Sequence, residues 1–231
     1  MNNPFEDRIL YQDNHIIVIN KRAGEIIQSD KTGDKPLSEK VKEYLKYKFN
    51  KPGNVYLGIV HRIDRPTSGA IMFAKTSKAA SRLSKMFQAK EIDKTYWAIT
   101  AEKPKNKEGT LTHYLQKNNN KNKSFAVDNE RDGYKKAVLH YKVLAGSDRY
   151  YLWEVDLETG RHHQIRVQLA QVGCPIKGDL KYGFARSNKD ASISLHARSI
   201  EFIHPVKKET IKITAPVPDE KLWEYFEHNV V

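Results

Sequence analysis

The densest cluster of chemically capable residues is the run HRIDRPTSG, from His61 to Gly69. One acid, Asp64, stands between two arginines, Arg62 and Arg65. In an extended chain, alternation puts Arg62 and Asp64 on one face and His61, Ile63 and Arg65 on the other. Pro66 then interrupts the ladder, and Thr67, Ser68 and Gly69 supply turn chemistry. The flanking cations favour the charged form of the carboxylate. An ionised carboxylate can serve as a nucleophile or as a base. The same residues also suit a purely structural Arg–Asp pair on a surface strand.

A second dense region is LETGRHHQIRVQLAQVGCPIKGDLKYG, from Leu157 to Gly183. Thr159 and Gly160 form a turn that feeds a helix, and Arg161, His163, Gln164 and Arg166 crowd the start of that helix. Basic residues at a helix N-terminus favour anions. Arg166 has the reach to grip a buried carboxylate through two hydrogen bonds. The plain alternative is a helix with an ordinary polar face. Other chemistries lack their signatures. There is no phosphate-loop pattern, no dinucleotide fingerprint and no His-Glu-x-x-His helix, and no Gly-x-Ser-x-Gly elbow. The nine histidines are scattered, and the single cysteine, Cys174, excludes an internal disulfide and a cysteine-based zinc site. An enzyme with this sequence is expected to work without cofactor or metal.

The elements that must position these residues follow from apolar spacing. HIIVIN, from His15 to Asn20, reads as a buried strand. Leu37 to Phe49 reads as an amphipathic helix, ended by the Pro-Gly of Asn50 to Asn54. Strands are expected over Tyr56 to Arg65, Gly69 to Ala74, Lys94 to Thr100, Tyr151 to Leu157 and Ile193 to His204. Ser77 is the expected N-cap of a helix whose inner face is Ala79, Ala80, Leu83, Met86 and Phe87. Ile165, Leu169 and Val172 mark a helix ended by Gly173, and Leu222, Trp223 and Phe226 a closing helix. Many strands with few interspersed helices predict an α+β fold, with a central mainly antiparallel sheet flanked by helices and loops.

The chain has 231 residues with 40 Lys plus Arg against 28 Asp plus Glu, a net charge of +12. This length fits one large domain or two small ones. Such a charge points to a polyanion, most often nucleic acid. Lysines cluster over Lys31 to Lys51 and over Lys103 to Lys136. The second cluster holds QKNNNKNKS, which reads as an exposed loop or a mobile hairpin. Its functional reading is a basic finger closing over a phosphate backbone. No apolar run nears the roughly 20 residues of a membrane span, and the N-terminus lacks a signal-peptide pattern. A cytoplasmic, monomeric protein is expected.

These residues together resemble the RluA family of pseudouridine synthases. HRIDRPTSG matches that family's His-Arg-Leu-Asp-Arg-x-Thr-Ser-Gly motif with Ile63 in place of Leu. TGRHHQIR followed by GCPIKGDLKYG resembles its downstream motif. NKRAG, from Asn20 to Gly24, resembles its Asn-Lys-Pro-x-Gly signature, and Lys94-Thr95-Tyr96 its Lys-x-Tyr strand. The resemblance runs from about Ile9 to Pro218, in the family's order, as one catalytic domain spanning 1–231. Arg22 departs from the usual Pro, and Gln28 and Gln168 stand where histidines are common. Too few residues precede Asn20 to hold the S4 domain that many relatives carry, so the basic catalytic domain is expected to grip its RNA alone.

The resemblance implies isomerisation of uridine to pseudouridine in ribosomal or transfer RNA, with no DNA substrate. It implies that Asp64 is the catalytic residue, attacking or deprotonating the ribose. Arg166 is then expected to pair with Asp64, and Tyr96 to stack on the uracil. A stacked uridine must first be extruded, and Arg62, on the predicted face of Asp64, is expected to fill the gap. Arg65, Arg161, His61 and Lys21 are the candidate phosphate contacts. Two rivals stay open on charge and composition alone: a non-catalytic RNA-binding protein, and a metal-independent ribonuclease using histidines as acid and base.

Overall fold

The computed structural model describes residues 5–230. In chain order the elements are β1 (Ile9–Gln12), β2 (Ile16–Lys21), α1 (Leu37–Lys48), β3 (Gly58–Ile59), β4 (Ser68–Ala74), α2 (Ser77–Gln88), β5 (Ile92–Thr100), β6 (Glu108–Asn118), β7 (Lys123–Val127), β8 (Lys135–Gly146), β9 (Tyr151–Leu157), α3 (Gln164–Gln171), β10 (Leu195–Ile203), β11 (Thr210–Thr214) and α4 (Lys221–Asn229). They fall into two compact units. The first comprises the chain up to Asp93 together with Ala197–Pro216, and the second comprises Lys94–His196 and the segment from Val217 onward. The α+β class and the predominance of antiparallel pairing follow the expectation.

In the first unit, β2 pairs antiparallel with β1 and β4. The unbroken apolar run of β2 has a physical cause, because both faces of this layer are covered. Ile16 and Val18 pack with Met72, Ala79 and Leu83 on the α2 side. Ile17 and Ile19 pack with Leu37, Val41, Leu45, Ile71 and Phe73 on the α1 side. The cap of α2 is Thr76, whose side chain accepts from the Ala79 amide at 3.1 Å, one residue earlier than the expected Ser77.

The expected strand over Tyr56 to Arg65 does not form; only Gly58 and Ile59 pair, opposite Ala74 and Phe73. Beyond them the chain bends into a turn, where the Thr67 amide donates to the Asp64 carbonyl at 3.0 Å. The chain then re-enters as β4 through Gly69, whose φ is +111° and whose missing Cβ would lie 2.3 Å from the Ala197 carbonyl oxygen. Only glycine tolerates both the backbone and the contact.

The second unit is an antiparallel series in which β5 pairs β9, β9 pairs β8, β8 pairs β6 and β6 pairs β7. Trp97, Ile99 and Leu152 pack against Trp223 and Phe226 of α4. That contact buries Leu152. Helix α3 lays Val167 and Ala170 on Leu115, Ala126 and Ala137. It ends where expected, with Gly173 in the left-handed region at φ +79°. Among the described residues no helix is long and apolar enough to cross a membrane.

Candidate active-site residues

In the first unit the Asp64 turn is built around a buried ammonium. Lys21 closes β2 opposite Gly69 and is 1% exposed. Its Nζ donates to the carbonyls of Arg22 at 3.1 Å, Asp64 at 3.2 Å, Arg65 at 3.0 Å and Thr67 at 2.6 Å. Burial pushes its pKa down to about 7, with Glu25 and Asp64 pulling the other way. The carbonyl cage accounts for a lysine tolerated in the interior, since each donor meets an acceptor. Expected at a phosphate, Lys21 instead ties the Asp64 turn to the end of β2. The Gly24 amide strengthens the tie by donating to the Arg65 carbonyl at 2.8 Å.

The other members of the run divide. Asp64 is half-buried and Arg62 is exposed. Among the described residues Arg62 has no ion-pair partner. Arg65 is exposed and pairs with Asp34 at 2.6 Å on the surface. His61 is half-buried; its Nε2 accepts from the Met72 amide at 2.9 Å and its ring stacks on Phe87 at 4.6 Å. These contacts anchor the His61 ring against β4 and α2.

In the second unit, α3 presents Arg166 to the carboxylate of Asp179. The guanidinium grips it in bidentate fashion, Nε to Oδ2 at 2.7 Å and Nη2 to Oδ1 at 2.8 Å. Both are buried, at 4% and 1% exposed. Tyr182, three residues on from Asp179, puts its ring 5.1 Å from the Arg166 guanidinium carbon. Its hydroxyl accepts from the Ser124 amide at 2.8 Å and meets His163 Nδ1 at 2.9 Å. The His162 ring stacks on that of His163 at 3.8 Å. Tyr96 is buried on β5 opposite Val155. Arg161 is exposed and donates from Nε to the Lys136 carbonyl at 3.1 Å. Gln168 is wholly buried and bonds to the Leu111 and Ala137 carbonyls, so this departure from the motif faces the interior.

Sequence reasoning missed Asp179, Tyr182 and Ser124. A signal was present, since Asp179 is the one acid in the basic stretch GCPIKGDLKYG. An acid 13 positions from an arginine in a helix start is a reasonable partner to test.

His163 carries a pH prediction. Burial, together with Arg166, His162, Lys181 and Lys117, pushes its pKa from 6.5 to about 2. The unfolded chain therefore binds a proton below pH 6.5 that the folded chain refuses, and stability falls as the pH drops. The slope from this group reaches about 1.4 kcal/mol per pH unit. In His163→Asn, which suits the left-handed backbone of residue 163 (φ +54°), the loss of stability below pH 6.5 is expected to be shallower by that amount. Urea unfolding of both proteins across this range checks it; parallel slopes would refute it.

A family model described as RNA pseudouridylate synthase matches residues 15–171. Among curated proteins, the RNA pseudouridine synthase YhcT of Bacillus subtilis is 36% identical over 215 residues, covering 91% of this chain and 68% of that protein. Ribosomal large subunit pseudouridine synthase D of Xanthomonas campestris is 32% identical, covering 92% of this chain and 66% of that protein. tRNA pseudouridine synthase C of Vibrio parahaemolyticus is 31% identical, covering 97% and 96%. Among solved structures, human RNA pseudouridylate synthase domain containing 4 superposes with a TM-score of 0.78 at 24% identity, covering 98% of this chain and 94% of that one. This last likeness speaks for the fold.

Proposed function

Since the chain belongs to the RNA pseudouridylate synthase family, of the RluA type, and is thus an isomerase acting on RNA, we propose that it converts particular uridines of ribosomal or transfer RNA to pseudouridine with Asp64 as its catalytic residue. The observation that carries the reading is the Asp64 turn. It lies inside the matched stretch, and three carbonyl bonds to the Lys21 ammonium hold its backbone. A carboxylate on so fixed a turn is oriented before substrate arrives, which lowers the entropic part of the barrier.

In the reaction the N1–C1′ bond breaks, the uracil turns, and C5 bonds to C1′. The C5 proton leaves and N1 gains one, so nothing is added or lost overall. Asp64 attacks or deprotonates the ribose. The target base is first drawn out of its stack, and Arg62, exposed and without an ion pair among the described residues, fills the gap by stacking its plane on the neighbouring bases. The parts that the resemblance gives Tyr96, stacking on uracil, and Arg166, pairing with Asp64 to hold it charged and oriented, are proposals of the same standing. Arg65 and Arg161, both exposed, remain the phosphate contacts. His61 stays with them, whereas Lys21, caged by carbonyls, becomes a positioning residue.

Release of tritium from RNA labelled at uracil C5 tests the reading. Transfer RNA transcripts and large-subunit ribosomal fragments are incubated with the protein, with no metal or nucleotide added. The expected result is tritium in water and RNA of unchanged length. Shortened RNA would favour a ribonuclease, and binding with no release from either class would overturn the proposal.

A further inference from the structure

The two lysine clusters of the sequence look alike, but the structure treats them differently. In the cluster around α1, lysines are matched to acids. Lys35 pairs with Glu43 at 2.6 Å, Lys40 with Glu25 at 3.0 Å and Lys42 with Glu39 at 2.9 Å; Lys48 pairs with Glu6. Four of the seven lysines from Lys31 to Lys51 thus have a counter-charge within the protein.

The second cluster is not. Strands β6 and β7 form a hairpin in which Lys117 stands opposite Ser124 and Asn118 opposite Lys123. Its turn is built, not loose: the Lys121 amide donates to the Asn118 side chain at 2.9 Å and the Asn122 amide to the Asn119 carbonyl at 3.2 Å. Lys181 joins from outside by donating to the Asn122 carbonyl at 3.0 Å. Lys135 and Lys136 lie on β8, opposite Leu115 and Tyr114 of β6. Among the described residues none of these six lysines has a carboxylate partner. The acids that follow the hairpin in sequence, Asp128, Glu130 and Asp132, lie in the loop at the other end of β7. Phe125, 40% exposed on β7, carries the Lys123 ammonium 5.8 Å from its ring centre and adds an aromatic face.

We propose that the β6–β7 hairpin, with Lys117, Lys121, Lys123 and Lys181, is a backbone-gripping surface for RNA, and that the equally lysine-rich face of α1 is not. This rests on the RNA isomerase reading and names the part of the chain that holds the substrate. Close like charges kept without internal counter-charge raise the energy of the free protein, and a polyanion relieves it. Phosphate contacts of this kind position RNA without reading its sequence, and an exposed ring beside them can take a stacked base.

The test compares two triple variants that lose the same charge. One carries Lys117→Gln, Lys121→Gln and Lys123→Gln; the other carries Lys35→Gln, Lys42→Gln and Lys48→Gln. Affinity for an unmodified transfer RNA transcript is measured across salt concentrations, with thermal unfolding of each protein as the check on folding. Three lost phosphate contacts lower the slope of log affinity against log salt by about 2 to 3, and weaken binding on the order of a hundredfold near 0.1 M salt. The hairpin triple is expected to show this, and the α1 triple to bind as the wild type does. An unchanged slope in the hairpin triple, an equal change in both triples, or wild-type binding that ignores salt would overturn the proposal. Tritium release, measured separately, keeps the two readings apart. A wild type that grips RNA by the hairpin but releases no tritium would sink the isomerase reading alone, whereas release with a slope untouched by the hairpin triple would sink this surface alone.

Discussion

Asp64→Asn is expected to abolish tritium release while the protein melts and binds RNA as the wild type does. The substitution is nearly isosteric, and it keeps the main-chain bonds that tie the turn. What Lys21 and the Thr67 amide bind is the main-chain carbonyl of residue 64, at 3.2 and 3.0 Å, and Asn keeps that carbonyl. Only the side-chain charge is lost. A residual rate about 10²–10⁴-fold below wild type would match removal of a general base. No measurable rate would match removal of a nucleophile, because an amide cannot take that part. An Asn variant retaining a substantial share of wild-type release would take Asp64 out of the chemistry.

The second large effect concerns stability. Asp179→Ala is expected to destabilise the protein by about 3–5 kcal/mol, because it removes one partner of a buried, doubly hydrogen-bonded ion pair with Arg166. Both partners are nearly inaccessible to water, and two hydrogen bonds of 2.7 and 2.8 Å are lost together. Water cannot easily replace them, and the Tyr182 ring that lies 5.1 Å from the guanidinium loses a fixed neighbour. The double variant Asp179→Ala with Arg166→Met removes both charges and should regain most of the loss, since an apolar replacement of a buried pair is close to neutral. Chemical denaturation of the single and double variants decides it. A single variant as stable as wild type would mean that the pair contributes nothing measurable.

Much of the architecture was legible along the chain. The apolar run of β2, the helical spacing of α1 and α2, and Gly173 as a helix stop are local patterns with local causes, and each appears close to its expected bounds. The two reactive runs were also legible, because a lone acid between arginines and a basic helix start stand out by residue type. Even the hairpin at QKNNNKNKS could be read from its polarity, although its built turn could not.

What the chain does with its charges was decided elsewhere. Lys21 looked like a phosphate contact because lysines are normally at the surface. Its role as an internal tether depends on four carbonyls, three of them more than 40 residues away. Arg166 called for a carboxylate, but the choice of Asp179 required the fold to bring the turn after α3 back against the helix. The two lysine clusters look alike in the sequence, and the positions of Glu6, Glu25, Glu39 and Glu43 separate a partly neutralised face from a charged one. Residue type and spacing record which groups can carry charge and where the backbone can turn. Coulomb energy and desolvation depend on distances through space, and those distances exist only once the chain has folded.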